Sequence, residues 1–78
     1  MKIKIFSTPT CAYCGTLKEY LHKHNIAFED IDVSMDENAL NEMVEKSQQM
    51  GVPVIDIDGQ IVIGFDKKKI NQLLNITE

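Results

Sequence analysis

Ser7-Thr8-Pro9-Thr10-Cys11-Ala12-Tyr13-Cys14-Gly15 holds the chain's only two cysteines and separates an apolar strand pattern from an amphipathic helix pattern. Two residues between the cysteines, with the first at a helix start and the second one turn in, bring both sulfurs to one end of one helix. They can then form and break a short disulfide without refolding the chain. At that position Cys11 has unpaired backbone N–H groups and the positive end of the helix dipole aimed at its sulfur. Both favour the thiolate, and cysteines placed this way ionise more easily than a free thiol. Cys11 is therefore the expected nucleophile and Cys14, deeper in the helix, the expected resolving thiol. In the implied exchange Cys11 attacks a substrate disulfide, and Cys14 then attacks Cys11 to release the reduced substrate.

A Cys-x-x-Cys pair also supplies half of a tetrahedral zinc site. The other half is missing here: His22 and His24 stand two residues apart on a helix pattern and point in different directions, and no third cysteine exists. No intramolecular metal is expected. A metal or cluster shared between two chains stays open on this ligand count. A purely structural disulfide is disfavoured because so short a loop constrains the unfolded chain very little.

The 78 residues suffice for one small domain, 1–78, with a single core. With 44% apolar and 26% charged residues the composition is that of a soluble globular protein. Twelve acidic residues against eight lysines, with no arginine, give a net charge of −4 and argue against nucleic acid as a partner. The apolar part of Met1-Lys2-Ile3-Lys4-Ile5-Phe6 is too short for a secretory signal, and no run approaches a membrane span. A cytoplasmic location is expected, where such a dithiol is kept mostly reduced and suits a reductant. A monomer is the default for a domain of this size.

Outward from the cysteines, Ile3 and Ile5 with their neighbours read as a first strand. Tyr13, Cys14, Leu17, Tyr20, Leu21 and His24 recur at helical spacing, with Asn25 suited to a left-handed cap. Ile26 to Val33 reads as a second strand, which makes strand, helix and strand a parallel βαβ unit. Ser34-x-x-Glu37 has the form of a capping box opening a second helix, with Ala39, Leu40, Met43, Val44 and Ser47 on its inner face and its end near Met50-Gly51. Val54, Ile55 and Ile57, then Ile61, Val62 and Ile63, are β-branched runs joined by Asp58-Gly59, a hairpin signal. Asp66 is placed to cap a last helix carrying Ile70, Leu73 and Leu74 inward. Lys67, Lys68 and Lys69 occupy that helix's first turn, where the dipole disfavours cations. The run reads either as a solvated surface or as a positive spot that draws an anionic partner toward the thiols.

This order of elements, with Cys-x-x-Cys opening the first helix, resembles the thioredoxin fold in its minimal glutaredoxin form, over the whole chain. The resemblance rests on Thr8-Pro9-Thr10-Cys11-Ala12-Tyr13-Cys14, Val52-Pro53 and Gly64-Phe65-Asp66. It implies an α/β fold in the order βαβ-α-ββα, a mixed four-stranded sheet flanked by three helices. It also implies a cis Val52-Pro53 bond facing the cysteines, beside which an extended substrate pairs with the backbone. Thr10, Tyr13, Val52, Pro53, Gly64, Phe65 and Asp66 would then form the substrate or glutathione surface.

Two kinds of redoxin meet in these motifs. Glutaredoxins carry Cys-Pro-Tyr-Cys, usually a lysine at the position of Thr8, and a Gly-Gly-x-Asp stretch for glutathione; here Ala12, Thr8 and Ile63 depart while Tyr13, Gly64 and Asp66 match. NrdH-type redoxins, recharged by thioredoxin reductase to feed ribonucleotide reductase, carry Trp-Ser-Gly-Phe-Arg-Pro where this chain has Val62-Ile63-Gly64-Phe65-Asp66-Lys67. The expected activity is thiol–disulfide exchange on protein or glutathione mixed disulfides, with no bound cofactor and glutathione as a possible co-substrate. The alternatives are an NrdH-type electron donor and a non-enzymatic module that bridges a metal or cluster or docks a partner.

Overall fold

A computed structural model describes residues 2–77. Seven elements follow one another: β1 (Ile3–Ser7), α1 (Ala12–Lys23), β2 (Glu29–Asp32), α2 (Glu37–Ser47), β3 (Val54–Ile57), β4 (Gln60–Ile63) and α3 (Lys67–Leu74). The sheet order is β2-β1-β3-β4. β1 and β2 are parallel, whereas β3 runs antiparallel to both β1 and β4, so the sheet is mixed as expected.

Strand alternation assigns the two faces. Ile3, Ile5, Ile55, Ile57 and Val62 pack with Leu17, Tyr20 and Leu21 of α1 and Ile70 of α3. Phe6 and Val54 point the other way and pack with Val33 and with Ala39 and Met43 of α2. All four residues of the inner strand β3 are buried. Each fully buried Leu, Ile or Phe here contributes about 1.5–3 kcal/mol. The sheet with α1 and α3 on one side and α2 on the other is the thioredoxin-like architecture.

The helix ends are set by local chemistry. α1 closes in a Schellman motif: Asn25 adopts φ 57°, the Ile26 N–H donates to Leu21 O at 2.9 Å, and the Asn25 N–H donates to His22 O at 3.0 Å. That motif uses Ile26, so β2 begins at Glu29 rather than Ile26. The hairpin turn is formed by Asp58 (φ 49°) and Gly59 (φ 91°), both left-handed as its sequence requires.

The start of α2 corrects the capping-box reading. Its N-cap is Asp36, whose Oδ1 accepts from the Ala39 N–H at 3.1 Å. Ser34 is turned back instead, its N–H and hydroxyl both donating to Asp32 Oδ1. With the Ser34 hydroxyl held by Asp32, the helix starts two residues later at the Asp36 carboxylate. The far end also falls earlier than Met50-Gly51, because Gln48 adopts φ 63° and its N–H donates to Val44 O.

Candidate active site

Cys11 is the N-cap of α1, and its sulfur accepts from the Cys14 N–H at 3.2 Å. The extended backbone of Cys11 (φ −89°, ψ 110°) follows the Thr8-Pro9-Thr10 turn, which a Cys11 N–H to Thr8 O bond closes at 3.3 Å. Cys14 lies one turn in, 1% exposed, while Cys11 is half-buried. The two are joined as a disulfide with Cα atoms 5.3 Å apart, so the structure is that of the oxidised dithiol. A thiolate formed on opening the bond at Cys11 would lie at the positive end of α1, which has no acidic residue in its first turn.

Val52-Pro53 is a cis peptide bond, and Pro53 is buried just before β3. Its carbonyl accepts from the Gly64 N–H at 2.8 Å, which ties the start of β3 to the residue that follows β4. Gly64 has φ +75°, a conformation that disfavours any side chain. Tyr13, Val52, Pro53, Gly64 and Phe65 line a cleft of about 380 Å³. Five of the nine residues singled out from the sequence thus share one cleft, and Tyr13, 69% exposed, comes from between the cysteines.

Thr10 and Asp66 stand outside that lining. Thr10 is exposed in the turn before Cys11. The Asp66 carboxylate is the N-cap of α3 and accepts from the Lys69 N–H at 3.2 Å, so its oxygen is engaged by the fold. Among the described residues no three His, Cys, Asp or Glu side chains come together to hold a metal ion. Nor is any helix long and apolar enough to cross a membrane.

Two supporting features are hard to see in the sequence. The Gln49 side-chain amide accepts from the Gly51 N–H at 2.7 Å and donates to Gly51 O at 3.0 Å and to Ser47 Oγ at 3.2 Å, clasping the segment that leads into Val52-Pro53. Its only sequence signal is a glutamine two residues before a glycine. The second feature lies under the Thr8-Pro9 turn, where buried Ser7 donates to Asp30 Oδ1 at 2.9 Å and Lys18 Nζ donates to Asp30 Oδ2 at 2.8 Å. Partial burial raises the Asp30 pKa, but the Lys18 and Ser7 hydrogen bonds and the Lys18 charge outweigh it and hold the carboxyl below its ordinary value. A larger depression of about 600 Å³ lies where α1 gives way to β2, around His22, Ile26 and Phe28. It contains none of the cleft residues and neither cysteine.

Comparison with known proteins agrees with this geometry. The glutaredoxin family profile matches residues 3–62. The chain belongs to the glutaredoxin family. The redoxin is 51% identical over 72 residues to an uncharacterized glutaredoxin-like 8.6 kDa protein in the rubredoxin operon of Clostridium pasteurianum, covering 92% of this chain and 96% of that one. It is 34% identical over 74 residues to the glutaredoxin-like protein NrdH of Lactococcus lactis subsp. lactis, covering 91% and 97% of the two chains. Among solved structures, a mutant of the thioredoxin-like protein BC3987 superposes with a TM-score of 0.92 at 38% identity over 97% of each chain. This chain is a glutaredoxin-like redoxin, similar to NrdH, with a Cys-x-x-Cys pair of the thiol–disulfide oxidoreductase class.

Proposed function

We propose that this redoxin reduces disulfides through Cys11 and Cys14. The Cys11 thiolate attacks a substrate disulfide, forming a Cys11–substrate bond and releasing one substrate thiolate. Cys14 then loses its proton and attacks Cys11 Sγ, releasing the second substrate thiolate and leaving the Cys11–Cys14 disulfide. Two electrons pass from the dithiol to the substrate. The single observation that carries the reading is the arrangement of the cysteines, Cys11 at the N-cap and Cys14 buried one turn behind it, bonded to each other. Only the half-exposed sulfur meets an incoming substrate.

In this reading the cleft of Tyr13, Val52, Pro53, Gly64 and Phe65 receives the chain around the substrate disulfide, and Asp66 positions the Gly64-Phe65 flank by capping α3. Thr10 lies at the mouth of the loop. No bound cofactor is needed, and the substrates are proteins with accessible disulfides, met in the cytoplasm.

The oxidised form must be recharged by glutathione or by thioredoxin reductase. The match to NrdH over nearly the full length of both chains favours thioredoxin reductase, with ribonucleotide reductase as a possible electron acceptor. NADPH consumption with a disulfide substrate, recharged either by thioredoxin reductase or by glutathione with glutathione reductase, tests the choice. Turnover with thioredoxin reductase alone supports the NrdH reading, and turnover with glutathione alone overturns it in favour of a glutaredoxin cycle. Cys14→Ser tests the exchange itself. It should accumulate a mixed disulfide at Cys11, and a variant that completes reduction without trapping one would refute the assigned roles.

A further inference from the structure

The charges of this chain are sorted across the sheet. Seven of its twelve acidic residues fall between Glu29 and Glu45, a span that covers β2 and most of α2, and the one lysine of these two elements is Lys46 near the end of α2. From Gly59 to Thr77, which builds β4 and α3, there is one acidic residue, Asp66, against three lysines. β2 is one edge of the sheet and is acidic, and β4 with α3 forms the other and carries the lysines, while acidic α2 lies across one face against β1 and β4. The cleft belongs to the basic edge, since Gly64 and Phe65 immediately precede Asp66 and the lysines.

Aromatic contacts place one of these cations beside the cleft. The Lys67 ammonium stands 5.3 Å from the centre of the Tyr20 ring, and the Phe65 ring, which lines the cleft, lies 5.5 Å from the same ring. Lys68 is exposed next to it, whereas Lys69 turns away and donates to Ile61 O on β4 at 3.3 Å. Cations in the first turn of a helix oppose its dipole, so the helix itself does not account for three of them in a row. Tyr13 at 69% exposure and Ile63 at 53% add apolar surface near the same cleft.

From this we infer that the redoxin selects disulfide partners carrying an acidic polypeptide segment beside the reactive disulfide, which Lys67 and Lys68 draw to the cleft. The inference rests on the disulfide-exchange reading above and adds the chemistry of the partner. A protein of net charge −4 would otherwise repel such a segment. The acidic β2 edge and the α2 face turn the same partner away from the wrong side, so the sorted charges both attract and orient it.

The test uses fully reduced protein in single turnover with two synthetic peptides sharing one intramolecular disulfide, flanked by glutamates in one and by glutamines in the other. Peptide dithiol is measured after acid quench. The acidic peptide should react faster at low salt, on the order of 10-fold, and lose that advantage between about 0.01 and 0.15 M ionic strength. Lys67→Gln/Lys68→Gln should abolish the salt-sensitive advantage while the glutamine peptide reacts as before. Thermal unfolding should show the double variant folded, the lost Lys67–Tyr20 contact and the relieved helix dipole being of similar size and opposite sign. Equal salt dependence for both peptides would overturn the inference, as would a double variant slowed equally on both. A double variant impaired on glutathione disulfide but not on the acidic peptide would overturn it in favour of a small dicarboxylate ligand. Failure to reduce either peptide refutes the exchange reading, and the inference falls with it.

Discussion

Replacing Asp66 separates holding the cleft from touching what enters it. The carboxylate accepts from the Lys69 N–H at 3.2 Å, capping a helix of eight residues in which Ile70 alone is fully buried. So short a helix has little intrinsic stability and depends on its cap and its packing. Asp66→Ala removes an N-cap worth about 1 kcal/mol. It also removes the one anion at a helix start crowded by three lysines, worth a few tenths of a kcal/mol more. The sum of about 1.5 kcal/mol corresponds to a fall in Tm of about 6–12 °C for a domain this small. Asp66→Asn keeps the capping oxygen and loses only the charge, so its Tm should fall by about 2 °C or less. Thermal and urea unfolding of the parent and both variants give the comparison, and reduction of the glutamine-flanked peptide gives the functional counterpart. The Ala variant should slow reduction, because a frayed α3 no longer fixes Phe65, and the Asn variant should not. If Asn loses as much stability as Ala, charge rather than capping holds α3. If Asn keeps its stability but loses activity, Asp66 meets the substrate directly.

Lys46→Met should destabilise the fold by about 1–2 kcal/mol near neutral pH, because it leaves the Asp56 carboxylate, 9% exposed, without the ammonium 2.7 Å away; the figure is reduced for a Lys46 side chain that is 38% exposed. Burial raises the Asp56 pKa, but Lys46, the Gly59 N–H and Lys4 outweigh it and hold it below the ordinary value. That stability is therefore present above the unfolded pKa of about 3.9 and is lost as pH falls through the lower folded value, so urea unfolding of parent and variant should converge as the pH is taken down through that value. A gap that persists undiminished below it would show that Asp56 ionisation is not its source. Gly64→Ala should lower stability by about 1–2 kcal/mol through backbone strain alone, since φ is +75° and a Cβ there meets nothing within 4 Å. An unchanged urea midpoint would mean that the turn relaxes, and with it the Gly64 to Pro53 tie.

Periodicity and turn chemistry made most of the fold legible. The strand alternation of Ile3 and Ile5, the helical spacing of Cys14, Leu17 and Leu21, Asn25 as a left-handed cap and the Asp58-Gly59 turn are all local rules that the tertiary structure does not override. The misread points were places where two residues could play one role. Asp36 and Ser34 both suited the start of α2, and Gln48 took the left-handed position ahead of Gly51. For the site, spacing alone gave the cysteines, whereas the cis Val52-Pro53 bond and the Gly64-Phe65 flank were reachable only through family resemblance. They lie about forty and about fifty residues away in sequence and meet Tyr13 only after the sheet forms. The Gln49 clasp and the Lys18–Asp30–Ser7 cluster were invisible, because a surface glutamine and a lone ion pair carry no pattern.

That division explains how the dithiol can open and close repeatedly without disturbing its scaffold. In the chain-entropy account, a disulfide closing so short a loop removes only about 2 kcal/mol of freedom from the unfolded chain. The rest of α1 is held by other means: Leu17, Tyr20 and Leu21 in the core, the Schellman end at Asn25, and the Tyr20 hydroxyl donating to Asn71 Oδ1 on α3. The far wall of the cleft, Val52, Pro53 and Gly64, is fixed separately, by the Gly64 N–H on Pro53 O and by the Gln49 clasp, neither of which involves sulfur. The redox change is thus confined to one helical turn whose loss the core tolerates. Of the cleft residues only Tyr13 stands on that turn, so it is the one part of the cleft that opening the bond at Cys11 can reach directly.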